Sequence, residues 1–193
     1  MKKVNEIFYS LQGEGYYAGT PAVFIRFSGC NLACAFCDTK HNDGVKMTDQ
    51  QIIDEVAKYN CKLVVITGGE PSLQLDEEFI GKLHLYGKMV AVETNGTHAL
   101  PRNVDYITCS PKFEYCKNAE IKLSRIDELK VVWDEKNDMS LYDNIPATRY
   151  YLQPCDVQDP VRNKQITESA VRFCLEHPEW RISLQTQKIL NVR

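Results

Sequence analysis

The sequence predicts an α/β protein folded as a partial, six-stranded barrel with a reduced layer of helices. Six short runs rich in β-branched and apolar residues recur along the chain. Amphipathic stretches of helical period separate several of them, and strand–helix alternation calls for parallel strands. The chain has 193 residues, whereas a full eight-unit barrel takes ~250.

The six runs are residues 23–27, 63–67, 89–93, 106–109, 129–133 and 150–153, with 4–9 as a further candidate strand. Residues 48–60 predict a helix. They open on Thr48-Asp49-Gln50-Gln51, a capping box, and place Ile52, Ile53, Val56 and Ala57 on one stripe. Residues 76–85 carry Phe79, Ile80 and Leu83 at helical spacing, and a third helix over 167–177 is stopped by Pro178. The connections 95–105 and 112–128 lack such periodicity, so helices there are expected to be short or missing. No repeat or low-complexity linker interrupts the pattern, and 1–193 reads as one domain.

Hydrophobic residues at 44% and charged residues at 25% are globular values. A net charge of −3 argues against a nucleic-acid partner, which clustered Lys and Arg would serve. No apolar run reaches the roughly 18 residues that a membrane helix needs. Met1-Lys2-Lys3 is basic but no apolar segment follows, so a cytoplasmic location is expected. Eight cysteines are present. Five of them (Cys61, Cys109, Cys116, Cys155 and Cys174) stand at wide, unrelated intervals and read as reduced, small hydrophobes with no ligand role.

The other three are Cys30, Cys34 and Cys37, spaced Cys-x3-Cys-x2-Cys directly after the run 23–27. Thiolates this close on a loop suit a soft metal centre. Spacing alone fits an iron–sulfur cluster, a zinc site completed by a distant ligand such as His41, or three unconnected thiols. Three ligands, rather than four, would leave one iron of a 4Fe–4S cluster open. In α/β barrels function gathers at the carboxyl ends of the strands. Here those ends run into the cysteines, Thr67-Gly68-Gly69-Glu70-Pro71, Glu93-Thr94-Asn95-Gly96, Ser110-Pro111-Lys112 and Gln153-Pro154-Cys155-Asp156.

The cysteine triplet together with Gly68-Gly69-Glu70-Pro71 resembles the signature of the radical S-adenosylmethionine (SAM) superfamily. Ser10-Leu11-Gln12-Gly13-Glu14-Gly15, Arg26 and the strand-end motifs, in this order along essentially the whole chain, resemble the 7-carboxy-7-deazaguanine synthase family within it. The resemblance implies a partial (β/α)6 TIM-like barrel of the radical SAM type. It also implies a radical SAM carbon–nitrogen lyase that converts 6-carboxy-5,6,7,8-tetrahydropterin to 7-carboxy-7-deazaguanine with loss of ammonia, in deazapurine or queuosine-type biosynthesis. The cofactors implied are a 4Fe–4S cluster, SAM and Mg²⁺.

Carried over, Cys30, Cys34 and Cys37 hold the cluster and Thr39 ligates Mg²⁺. Leu11, Gln12, Gly13, Glu14, Arg26 and Thr67 meet the pterin, with Glu14 and Arg26 as the catalytic pair. Phe36, Cys37, Asp38, Gly69, Glu93, Ser110, Pro111, Lys112, Gln153, Pro154, Cys155 and Asp156 meet SAM. The resemblance further implies a flavodoxin or ferredoxin electron donor and a homodimer. Gln185-Thr186-Gln187-Lys188 departs from it, since relatives commonly carry His where Gln187 stands. Arg193 matches no motif. Two other readings of the triplet are a glycyl-radical activase and a non-catalytic iron–sulfur or zinc module.

Overall fold

The computed structural model describes residues 1–35, 37, 43–116 and 119–193. Among them, nine strands form one sheet in the order β3-β1-β2-β4-β5-β6-β7-β8-β9. The strands are β1 (Lys2–Leu11), β2 (Pro21–Phe27), β3 (Val45–Met47), β4 (Leu63–Gly68), β5 (Met89–Thr94), β6 (Tyr106–Cys109), β7 (Glu128–Trp133), β8 (Arg149–Pro154) and β9 (Trp180–Ile182). From β2 through β9, omitting β3, every neighbouring pair is parallel; β1 and β3 run antiparallel at one edge. The six parallel strands read from the sequence are β2 and β4 to β8. The short edge strands β3 and β9 went unpredicted because three residues carry no periodicity.

The helices are α1 (Asp49–Ala57), α2 (Glu77–Leu85), α3 (Pro160–Glu176) and α4 (Thr186–Leu190). The expected capping box is formed: Thr48 Oγ1 accepts from Gln51 N and Gln51 Oε1 from Thr48 N. Helix α3 begins seven residues before the predicted 167. Asp159 caps it by accepting from Val161 N and Arg162 N, and Pro160 occupies its first turn, where a missing N–H costs nothing. No helix follows β5 or β6 among the described residues, so the helical layer is reduced as expected.

Alternation along the strands separates two faces. Val23, Ile25, Phe27, Val64, Ile66, Val90 and Val92 point outward and pack under α1 and α2, where Ile52, Phe79, Ile80 and Leu83 are fully buried. Each such side chain contributes about 1.5–3 kcal/mol. Leu129, Val131 and Leu152 do the same under Ile166 and Ala170 of α3. The inner face is apolar only near the strand starts, where Phe8, Phe24, Leu63, Val65, Ala91 and Tyr106 form a separate cluster. Beyond that floor, toward the carboxyl ends, the inward positions are polar.

Candidate active site

The cysteine loop leaves β2 clasped between two neighbouring strand ends. Gly69 N donates to Phe27 O (2.9 Å) and Glu70 N to Gly29 O (2.8 Å). A Cβ at Gly69 would stand 1.8 Å from the Gly29 carbonyl oxygen, so only glycine lets the two backbones meet. Asn31 reaches the other side, donating to Thr97 Oγ1 (2.8 Å) and accepting from Asn95 Nδ2 (3.1 Å). The fully buried Glu70 ties these loops together: it accepts from Thr94 Oγ1 (2.6 Å), Asn95 N (2.8 Å) and Ser72 N (3.0 Å). Its carboxylate is spent inside the protein, leaving the loop's backbone as the surface a cofactor would meet.

On that loop Cys30 and Cys34 are half-buried and Cys37 is exposed, none of them in a disulfide. Leu32 N donates to Cys30 Sγ (3.4 Å). Cys116, read from the sequence as an unrelated thiol, instead has its sulfur 3.7 Å from Cys34 Sγ. Burial and the neighbouring Cys116 push the Cys34 thiol up to about 12. Among the described residues no three His, Cys, Asp or Glu side chains gather at single-ion distances. The fit to an iron–sulfur cluster therefore rests on donor chemistry: the cysteines Cys30, Cys34 and Cys37 on one clasped loop at the carboxyl-end rim. Phe36, Asp38, Thr39 and His41 lie outside the described residues.

The inner wall opposite that loop is a polar network. Gln12 Nε2 donates to Glu93 Oε1 (2.9 Å), and Thr67 Oγ1 to Glu93 Oε2 (3.0 Å). Glu14 Oε2 pairs with Lys130 Nζ of β7 (2.5 Å), and Glu14 Oε1 accepts from Gln185 Nε2 and Gln187 Nε2, both at 3.0 Å. Burial alone would raise the Glu14 carboxyl. The Lys130 charge and the bonds from Lys130, Gln185 and Gln187 outweigh it and hold the group down at about 2. The segment around Glu14 is pinned at several points. Gly13 O accepts from Thr186 N and Oγ1, Gly15 N donates to Ser183 Oγ, and Tyr16 N to Glu128 Oε2. A Cβ at Gly13 would collide with Gln187. Leu11, the last residue of β1, is half-buried beside it. On β2, Arg26 Nε is held by Glu6 (2.9 Å), which also receives Arg193.

Two further strand ends complete the rim. Lys112 Nζ donates to Ser110 O (2.5 Å) and Ser110 Oγ (2.6 Å), and burial lowers its pKa. Pro111 between them is buried. On β8, Gln153 is buried and accepts from Ser183 Oγ (3.3 Å), and Cys155 is buried after Pro154. Asp156 is committed elsewhere. It pairs with Lys188 (2.5 Å) and accepts from Gln158 N and Asn163 Nδ2, which together hold it at about 2.

The pattern of the Radical SAM superfamily matches residues 24–108, from β2 through β6. A 7-carboxy-7-deazaguanine synthase from Bacteroides thetaiotaomicron is 52% identical over 193 residues, covering all of both chains. One from Caulobacter vibrioides is 42% identical and covers 98% of each. The chain belongs to the 7-carboxy-7-deazaguanine synthase family. The fold agrees: a crystal structure of QueE from Escherichia coli superposes with a TM-score of 0.80 at 26% identity, covering 95% of this chain and 93% of that one. Membership in this family makes the chain a radical SAM enzyme, and that class uses a 4Fe–4S cluster and SAM.

Of the residues that the family resemblance singles out, the structure brings Gln12, Glu14, Thr67 and Glu93 onto one inner wall and Gly69 and Lys112 to the cysteine side. Glu93 accordingly sits in the same hydrogen-bonded set as Gln12 and Thr67, at the boundary between the two groups. Sequence reasoning missed Lys130 and Gln185. Lys130 had a readable signal, because Glu128 and Lys130 alternate in an otherwise apolar strand and so share its inner face. Gln185 had none: its amide is engaged with Glu14 and makes no cap bond to α4. No helix among the described residues is long and apolar enough to cross a membrane.

Proposed function

We infer that the chain converts 6-carboxy-5,6,7,8-tetrahydropterin to 7-carboxy-7-deazaguanine with loss of ammonia, as a radical SAM lyase of queuosine-type biosynthesis. The observation that carries this is the 52% identity to a 7-carboxy-7-deazaguanine synthase over the whole of both chains. Cys30, Cys34 and Cys37 would hold the 4Fe–4S cluster. When bound, the cluster and SAM supply a 5′-deoxyadenosyl radical by reductive cleavage.

The rest is work for the chain's own side chains. Glu14, ionised and pinned by three donors, accepts from pterin N–H groups. Gln12, Gly13 and Leu11 line the same edge, and Thr67 with Glu93 forms the wall between the pterin and the cofactor loops. Arg26 takes the substrate carboxylate in competition with Glu6, which holds its Nε in this structure. The apolar floor of Phe8, Phe24 and Val65 keeps water from entering beneath. Gly69, Ser110, Pro111, Lys112, Gln153, Pro154 and Cys155 line the SAM side, and Phe36 and Asp38 are assigned to SAM by the family likeness alone. Asp156 contributes there through its backbone while its carboxylate holds Lys188.

Thr39 is assigned as the Mg²⁺ ligand. The one-domain, cytoplasmic homodimer and the flavodoxin or ferredoxin donor follow from the family likeness.

One anaerobic assay tests the reading. With 6-carboxytetrahydropterin, SAM and dithionite, the reconstituted enzyme should release 7-carboxy-7-deazaguanine and ammonia. Cleavage of SAM without either product would sink the assigned reaction. For Mg²⁺, Thr39→Ala should blunt the metal's activation while SAM still binds; a wild-type metal response would remove Thr39 from that role.

A further inference from the structure

Lys130 is an ammonium with unspent hydrogen-bonding capacity in a nearly closed site. Its side chain is 7% exposed, on the inner face of β7. An ammonium carries three donors. Among the described residues Lys130 Nζ makes one hydrogen bond, to Glu14 Oε2; Glu93 Oε1 is 4.0 Å away, an ion-pair distance too long for a hydrogen bond. Buried donors are rarely left without partners, so the site is complete only when something else accepts from this nitrogen.

Glu14 shows the matching gap. Each carboxylate oxygen accepts about two hydrogen bonds. Oε1 already takes both the Gln185 and Gln187 amides, whereas Oε2 takes only Lys130. The open acceptor position is therefore on Oε2, next to the open donors of Lys130. Together they form a short edge reading acceptor, then donor. Its complement is a ring N–H beside a carbonyl, which is the lactam edge of an oxidised-purine or pterin ring.

The topology agrees with that orientation. Arg26 lies on β2 and Lys130 on β7, with β4, β5 and β6 between them. A pterin with its carboxylate toward Arg26 extends its pyrimidine ring, of which the lactam is one edge, away from β2 and toward the far strands.

We propose that Lys130 is a specificity-determining residue, donating to the 4-oxo group of the pterin while Glu14 Oε2 accepts from the adjacent ring N–H. This rests on the pterin reading given above and adds the group that distinguishes a 4-oxo from a 4-amino ring. A 4-amino ring would set a donor against the Lys130 ammonium, leaving two donors face to face, and a site built to hydrogen-bond one group rejects an analogue that cannot supply it.

The test uses the anaerobic holoenzyme with 6-carboxytetrahydropterin and its 2,4-diamino counterpart, each measured for binding by competition against turnover. The wild type should prefer the 4-oxo ligand by roughly tenfold or more. In Lys130→Met the 4-oxo ligand should weaken by a similar factor and the preference should shrink to about twofold, while Lys130→Arg, which retains donors, should keep a preference. A wild-type enzyme that binds both ligands alike overturns the proposal without any variant having to fold. So does a Lys130→Met enzyme that keeps the wild-type preference, since Lys130 would then serve only to hold Glu14. Binding of neither ligand by the wild type would instead overturn the pterin reading, and this proposal with it.

Discussion

Two halves of the same inner sheet face behave differently. Near the strand starts, Phe8, Phe24, Val65, Ala91 and Tyr106 pack as a closed apolar floor, with Phe8 and Phe24 stacked at 4.9 Å between centroids. Near the strand ends, on the same strands and facing the same way, stand Arg26, Thr67 and Glu93, with Lys130 facing them from β7. The floor is held by area removed from water, which is tolerant of exact partner identity. The upper half is held by charges that must each find a partner, because an uncompensated buried charge is costly. One strand thus serves packing at one end and the candidate site at the other, and a substitution should report which half it sits in.

The largest effect should come from the cysteine loop. Changing Cys30, Cys34 or Cys37 to Ala should abolish SAM cleavage and bound iron, while Cys61→Ala and Cys174→Ala should leave both near wild type. Iron and sulfide analysis with a SAM-cleavage assay checks this, and an essential Cys61 or Cys174 would break the three-ligand assignment.

Next comes the floor. Phe24→Ala should cost about 3–5 kcal/mol in unfolding free energy and leave the substrate affinity of the remaining folded enzyme nearly unchanged. Denaturant titration beside a KM measurement separates the two. A raised KM with intact stability would erase the division between the halves.

Glu14 sharpens the comparison through pH. Its carboxyl is depressed from 4.5 to about 2 in the folded chain, so its stabilisation is fully present above pH 4.5 and drains away as pH falls from there toward 2. The contribution is about 3 kcal/mol at most. Wild-type stability should therefore fall across that window more steeply than that of Glu14→Gln, read from unfolding midpoints at several pH values. Parallel curves would show that the carboxylate is not held by Lys130 and the tail amides.

The smallest effect should be at the rim. Lys188→Ala removes the partner of Asp156, but both side chains are partly exposed, and such pairs contribute less than about 1 kcal/mol. A thermal shift larger than a few degrees would mean that the carboxyl-terminal helix depends on this contact.

What could be read from the chain alone was local. The short runs of β-branched and apolar residues identified the six parallel strands, Thr48 and Gln51 identified a helix start, and the Cys30-Cys34-Cys37 spacing marked the candidate cofactor loop, because each signal lies within a few residues of itself. The start of α3, expected at 167, had a local signal that the reading passed over: Asp159-Pro160, a cap followed by a first-turn proline. Tertiary structure decided the partners. Glu14 meets Lys130 across 116 residues of sequence and Gln187 across 173, and Cys34 meets Cys116 across 82. No local pattern encodes such meetings. They arise because a parallel sheet gathers all its carboxyl ends on one rim, where strand order, rather than sequence distance, determines which charges must neutralise one another.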